Sequence, residues 1–166
     1  MTELRRVAVL GGSRIPFCRS NTLYADLSNL DMMSAALNGL VDKFHLKGVH
    51  IDEVVGGAVV THSRDFNLAR EAVLSTKLAT STPGITLMQA CGTSLQAAMG
   101  SAAKIATGQI ESAIACGSDT TSDAPIVFSK KFSKRLVSLG MQKTPLDKLK
   151  VFKGLSPAEL APQPPT

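Results

Sequence analysis

The 166-residue sequence has no tryptophan, one tyrosine and six phenylalanines, so aromatic side chains cannot fill its interior. Packing falls to Val, Ile, Leu, Met and Ala, the composition of a buried parallel sheet covered by helices. No apolar run approaches the roughly 20 residues of a membrane-spanning helix. The first apolar run, Val7 to Leu10, stops at Gly11-Gly12 and is too short for the apolar centre of a signal peptide. A cytoplasmic location is therefore expected. Cysteine is scarce as well: Cys18, Cys91 and Cys116 are odd in number, far apart and without a C-x-x-C pair. That spacing argues against a zinc centre or a disulfide framework and for free thiols in a reducing compartment.

Acidic residues run short in only one place. Residues 1–124 hold ten Lys/Arg against eleven Asp/Glu, whereas residues 125–166 hold eight against two. The net charge of +5 is thus a property of the C-terminal quarter, which also carries six of the eight prolines. This shift sets a domain boundary, with 1–124 as the main domain and 125–166 as a basic, Pro-rich extension that is expected to be cut off mid-course.

Before the boundary, short apolar runs alternate with helical patterns. Strands are expected at Val7–Leu10, Val54–Val60, Ile85–Met88 and Ala113–Cys116. Helices are expected after Asn29 or Asp31, over Asn67–Leu78 and over Cys91–Thr107, with Gly108 as a C-terminal cap. The order β-α-β-α-β-α-β argues an α/β fold, a mostly parallel sheet with right-handed crossovers and helices on both faces. The third helix is rich in Ala, Gly and Ser and is expected to be packed on all sides. Past the boundary, Phe128–Leu139 reads as a basic amphipathic helix and SPAELAPQPPT as an extended segment. Gly11-Gly12-Ser13 lacks the third glycine of a dinucleotide fingerprint, and Pro16 interrupts any helix that would follow.

Cys91 falls between a buried strand and a helix. Unbonded N–H groups and the positive end of the helix dipole favour a thiolate there, and Gly92 leaves space for an approaching substrate. Ligands also bind at the C-terminal ends of strands in open α/β sheets. Free cysteine is equally a common packing residue, and no base partner accompanies this one. Cys116, in a strand, reads as packing and Cys18 as incidental. His45, His50 and His62 read as surface residues.

Three blocks in order resolve the alternatives. Cys91-Gly92-Thr93-Ser94-Leu95-Gln96-Ala97 resembles the thiolase motif C-A-S-G-x-Q-A around the acyl-accepting cysteine. Arg14-Ile15-Pro16-Phe17 resembles R-T-P-F, and Ala115-Cys116-Gly117-Ser118-Asp119-Thr120-Thr121-Ser122 resembles A-G-G-x-E-S-M-S. The resemblance covers residues 5–124, is closer to the fatty-acid-oxidation thiolases than to the acetoacetyl type, and identifies the chain with the N-terminal portion of the family. Gly92, Ser94 and Cys116 depart from the motifs without removing the nucleophile.

What the resemblance implies is an incomplete thiolase half-domain in which Cys91 exchanges acyl groups with coenzyme A, its own N–H serving as one oxyanion donor. Coenzyme A and acyl-CoA would be substrates, with no permanently bound cofactor and no metal. The implied partners are acyl-CoA and further copies of the chain, as a dimer or tetramer, with no nucleic acid. The basic 128–153 stretch would begin the loop region over coenzyme A, or touch an anionic membrane surface. The family's N-E-A-F, G-H-P and C-x-G blocks do not occur, so this chain alone is expected to lack turnover. The alternative is a non-catalytic thiolase-like module that binds acyl-CoA, a partner subunit or a membrane.

Overall fold

The computed structural model describes residues 4–163, and the chain divides into two compact units, Met1–Ala124 and Pro125–Thr166. In the first, α1 (Asn29–Lys43) begins at a reciprocal cap. The Ser28 hydroxyl accepts from the Asp31 N–H at 3.1 Å, and the Asp31 carboxylate accepts from the Ser28 N–H at 2.9 Å. Met33, Leu37 and Val41 recur every fourth position and form its buried stripe. The helix ends where His45 takes a left-handed φ of 56° and the Leu46 N–H returns to the Val41 carbonyl.

β1 (Glu53–Gly56), β2 (Gly84–Thr86) and β3 (Ala113–Ala115) form a parallel sheet in the order β2-β1-β3. Val54 lies opposite Gly84 on one side and Ile114 on the other. Only the central strand is buried along its whole length, which fits its apolar Val54 and Val55. α2 (Leu68–Leu74) joins α1 over a core of Met33, Leu37, Val41, Val54, Leu68, Val73 and Ile114. Each such side chain contributes about 1.5–3 kcal/mol on burial. α3 (Thr93–Ala106) packs against β1 and β3 through Ala97, and its Lys104 pairs with the buried Glu53 carboxylate.

Two carboxylates pin β1 to β3 at opposite ends. Before the strands, Asp52 accepts from the Glu111 and Ser112 N–H groups at 2.8 and 3.0 Å, which hold its carboxyl below the usual range. Beyond them, Asp119 accepts from the Val59 and Val60 N–H groups at 2.8 and 2.9 Å.

Two expectations are corrected. Val7–Leu10 is not a strand: Val9 and Leu10 are 93% and 83% exposed, and the segment joins no ladder. A strand exists only where a neighbour takes its N–H and C=O groups, and β1 already has β2 and β3 on its two sides. The sheet therefore has three parallel strands among the described residues. Nor is α3 enclosed on all sides. It buries Thr93, Ala97 and Ser101, while Leu95 and Met99 are 66% and 59% exposed, because its small side chains bring only one face close to the sheet.

In the second unit, α4 (Lys130–Met141) and α5 (Pro145–Val151) are capped by the hydroxyls of Ser129 and Thr144. Phe132 is buried, with the Phe128 ring edge-on at 5.1 Å. The Arg135 guanidinium donates to the Val151 and Lys153 carbonyls, both at 2.9 Å. The segment expected to be extended instead starts with a helical turn, α6 (Pro157–Leu160), whose leading proline has its φ preset for that position. The end of that segment, residues 164–166, lies outside the described residues. No described helix is long and apolar enough to cross a membrane.

Candidate active site

At the C-terminal end of the sheet the three strands run on in step. The Leu87 N–H donates to the Gly56 carbonyl at 3.1 Å and the Ser118 N–H to the Gly57 carbonyl at 3.2 Å. The first turn of α3 is seated between two glycines. A Cβ at Gly57 would collide with the Leu87 carbonyl and crowd the Thr93 methyl, and one at Gly117 would collide with the Ser94 hydroxyl. Only backbone without side chains lets the helix mouth come this close to the strand ends.

Cys91 is exposed immediately ahead of that mouth. The helix was expected to start at Cys91 itself; it starts at Thr93, with Gly92 as the N-cap, so the thiol precedes the helix rather than belonging to it. Gly92 has no side chain with which to cap the first-turn N–H groups. These groups and the helix dipole favour negative charge in front of them. Ala90, just before, has a left-handed φ of 44°, a backbone conformation that alanine rarely adopts. The turn that presents Cys91 is therefore strained, a condition found at sites over-determined by their surroundings.

The other thiols are placed differently. Cys116 packs on the core with its sulfur against Gly56, and burial pushes its thiol up to about 12. Cys18 is half-buried beside Tyr24. The histidines have other surroundings. His45 is exposed at the end of α1, and the exposed His50 lies 3.0 Å from the Ser81 hydroxyl. His62 is not the surface residue it was expected to be. Its side chain is 18% exposed, with Nε2 2.6 Å from the Asp123 carbonyl oxygen, and Arg64 pairs with the same aspartate. None of the three hydrogen-bonds Cys91 among the described residues. Among those residues, no three His, Cys, Asp or Glu side chains converge as metal ligands would.

Three residues support this end of the sheet in ways the sequence did not show; Asn29 had been read only as a possible cap of α1, a place Ser28 takes. Asn29 donates to the Val60 carbonyl at 2.7 Å, Asp119 holds the Val59 and Val60 N–H groups, and Thr93 bonds back to the turn before Cys91. Lone polar residues at element ends carry little pattern. Thr93 alone had a signal, being a hydroxyl two positions after the cysteine, where such side chains close local turns.

A cysteine set before a helix mouth, over the C-terminal edge of a parallel sheet, places the chain among α/β proteins with a thiol at the strand ends. Residues 7–158 match the family model of the thiolase N-terminal domain, and the chain belongs to the thiolase family. It is 39% identical over 160 residues to a 3-ketoacyl-CoA thiolase of Shewanella oneidensis, covering 96% of this chain and 37% of that protein. A 3-ketoacyl-CoA thiolase of Shewanella denitrificans is 37% identical over the same shares. The chain thus spans 37% of the length of these relatives. In fold it is similar to the acetyl-CoA acetyltransferase of Bacillus anthracis, with a TM-score of 0.72 and 22% identity, over 76% of this chain and 32% of that one.

Proposed function

We propose that Cys91 is an acyl-accepting nucleophile of thiolase type and that its substrates are thioesters of coenzyme A. The observation that carries this reading is the exposed thiol on a strained turn, directly ahead of a helix whose N-cap has no side chain to occupy the first-turn N–H groups. In the degradative direction, the thiolate attacks the 3-keto carbon of a 3-ketoacyl-CoA and the C2–C3 bond breaks. The electron pair leaves on acetyl-CoA as an enolate and is then protonated. The acyl group stays on sulfur as a thioester until the thiol of a second coenzyme A removes it. The Cys91 N–H is the donor we assign to the developing oxyanion. With none of the three histidines bonded to it, the thiol has no partner base among the described residues, and we expect no turnover from this chain by itself.

The test is acyl transfer read by mass. Incubation with a 3-ketoacyl-CoA is expected to add one acyl group to the peptide containing Cys91, and Cys91→Ser should abolish the adduct. An adduct on Cys18 instead would overturn the assignment. A steady thiolytic rate from the 166-residue chain would overturn the expected lack of turnover.

A second reading concerns residues 128–153. α4 exposes Val137 and Met141 with Lys130 and Lys134, and α5 exposes Leu146 and Leu149 with Lys148 and Lys150. Apolar side chains ringed by lysines favour an anionic membrane surface. Co-sedimentation with phosphatidylserine vesicles that falls with added salt would support this contact; equal recovery with neutral vesicles would count against it. Assembly as a dimer or tetramer belongs to the same proposal, and β2, at an edge of the sheet with Ile85 exposed, is the strand we assign to it.

A further inference from the structure

Ala90 raises a question that the acyl-transfer reading leaves open. Alanine gains nothing by a left-handed φ, so something must hold it there. The neighbouring hydrogen bonds supply the answer. The Thr93 hydroxyl accepts from the Gln89 N–H at 2.9 Å and donates to the Ala90 carbonyl at 2.8 Å. One side-chain oxygen therefore closes the segment from both ends. Two backbone bonds run alongside, from the Gly92 N–H to the Gln89 carbonyl at 2.9 Å and from the Thr93 N–H to the Ala90 carbonyl at 3.2 Å.

Thr93 is itself fixed. It is 5% exposed, and its methyl is packed where a side chain on Gly57 would be. A β-branched residue so enclosed has little rotamer freedom, so the hydroxyl keeps its aim. That aim is the unusual part. A hydroxyl near a helix start ordinarily caps first-turn N–H groups, as Ser28 does for α1 and Ser129 for α4. In α3 the N-cap is a glycine, and the Thr93 hydroxyl turns away from the helix toward the preceding turn. Its bonds hold the strained turn while the helix mouth is left without a side-chain cap.

We infer that Thr93 is the positioning residue of the Cys91 site: its hydroxyl holds Gln89 and Ala90 in the geometry that presents the sulfur to an uncapped helix N-terminus. The inference rests on Cys91 being the nucleophile. It adds a dependence that the nucleophile reading does not require, since a thiol can be reactive in a turn held by backbone bonds alone.

The experiment is site-resolved alkylation of the folded chain with iodoacetamide, read by peptide mass for each cysteine, in the unsubstituted protein and in Thr93→Val and Thr93→Ser. Valine keeps the shape and removes the hydroxyl; serine keeps the hydroxyl. Thr93→Val is expected to slow Cys91 labelling at least tenfold while Cys18 labels at its original rate. Thr93→Ser is expected to stay within about threefold of the unsubstituted protein. Cys116 reports the fold, because a variant that opens its core will label there as well. Should valine disturb the core, the serine variant still decides, since loss of labelling with the hydroxyl retained overturns the inference. Hydrogen exchange at the Gln89 amide should speed up at least tenfold in Thr93→Val and not in Thr93→Ser.

Unchanged or faster Cys91 labelling in folded Thr93→Val would overturn the positioning role and leave the nucleophile standing. Cys91 labelling no faster than Cys18 in the unsubstituted protein would remove the nucleophile reading itself, and the inference with it.

Discussion

Residues 1–124 bury apolar side chains from Met32 to Ile114, on three helices, two strands and their connections, whereas among the described residues of 125–166 Phe132 alone is buried. The second unit relies instead on hydroxyl caps, on Arg135 holding two carbonyls, and on Lys131 paired with Glu159. Polar contacts at the surface contribute little each and weaken in salt, while buried methylenes contribute more and do not. The first unit should thus behave as a cooperative domain and the second as a marginal one.

Phe132→Ala is the largest expected break. Truncating a buried phenylalanine costs about 3–5 kcal/mol, more than a small unit with one buried ring withstands. Hydrogen exchange should lose protection across 130–151 while protection in 29–43 is unchanged. Loss in both stretches would show that the two units do not fold separately.

Leu37→Ala should cost the first unit about 2–4 kcal/mol in urea unfolding, because Leu37 lies in the α1 stripe of the main core. Ser28→Ala should cost about 1 kcal/mol, since it removes the capping hydroxyl of the same helix.

The smallest effect is set by pH. Donation from Glu111 and Ser112 holds the Asp52 carboxyl below its unfolded value. Its contribution is therefore complete above the unfolded pKa of about 3.9 and is lost as pH falls through the lower folded value. Asp52→Asn should reduce the fall in melting temperature below about pH 4. An identical acid profile in that variant would place the acid sensitivity elsewhere.

The same contrast bears on what could be read from the sequence. Helix α1 and strand β1 were legible because burial writes a pattern into the sequence, as Met33, Leu37 and Val41 show, whereas α3 was placed by apolar spacing although its Leu95 and Met99 are exposed. The charge shift at residue 125 was equally plain in composition. Val7–Leu10 misled because an apolar run records a tendency to pair, while a strand requires a partner, and that depends on which sheet edge is free. The place of Cys91 between strand and helix was legible. Its setting was not, because nothing about an alanine at position 90 announces a left-handed φ. The Thr93 hydroxyl likewise gives no hint of which way it turns.

The central position of β1 also bears on the order of folding. Its ladder to β2 joins Val54 to Gly84, and its ladder to β3 joins Val54 to Ile114, across twice as much chain. Doubling a loop raises its closure cost by only about 0.6 kcal/mol, but the shorter pairing also brings in α2 on the way. β1 with α2 and β2 is thus expected to form the folding nucleus, and β3 to add to an edge already made. In kinetic terms, Val54→Ala should slow folding, whereas Ile114→Ala should mainly speed unfolding. The turn carrying Cys91, which lies between β2 and β3, would then reach its strained geometry only in the last step, when α3 settles against the strand ends.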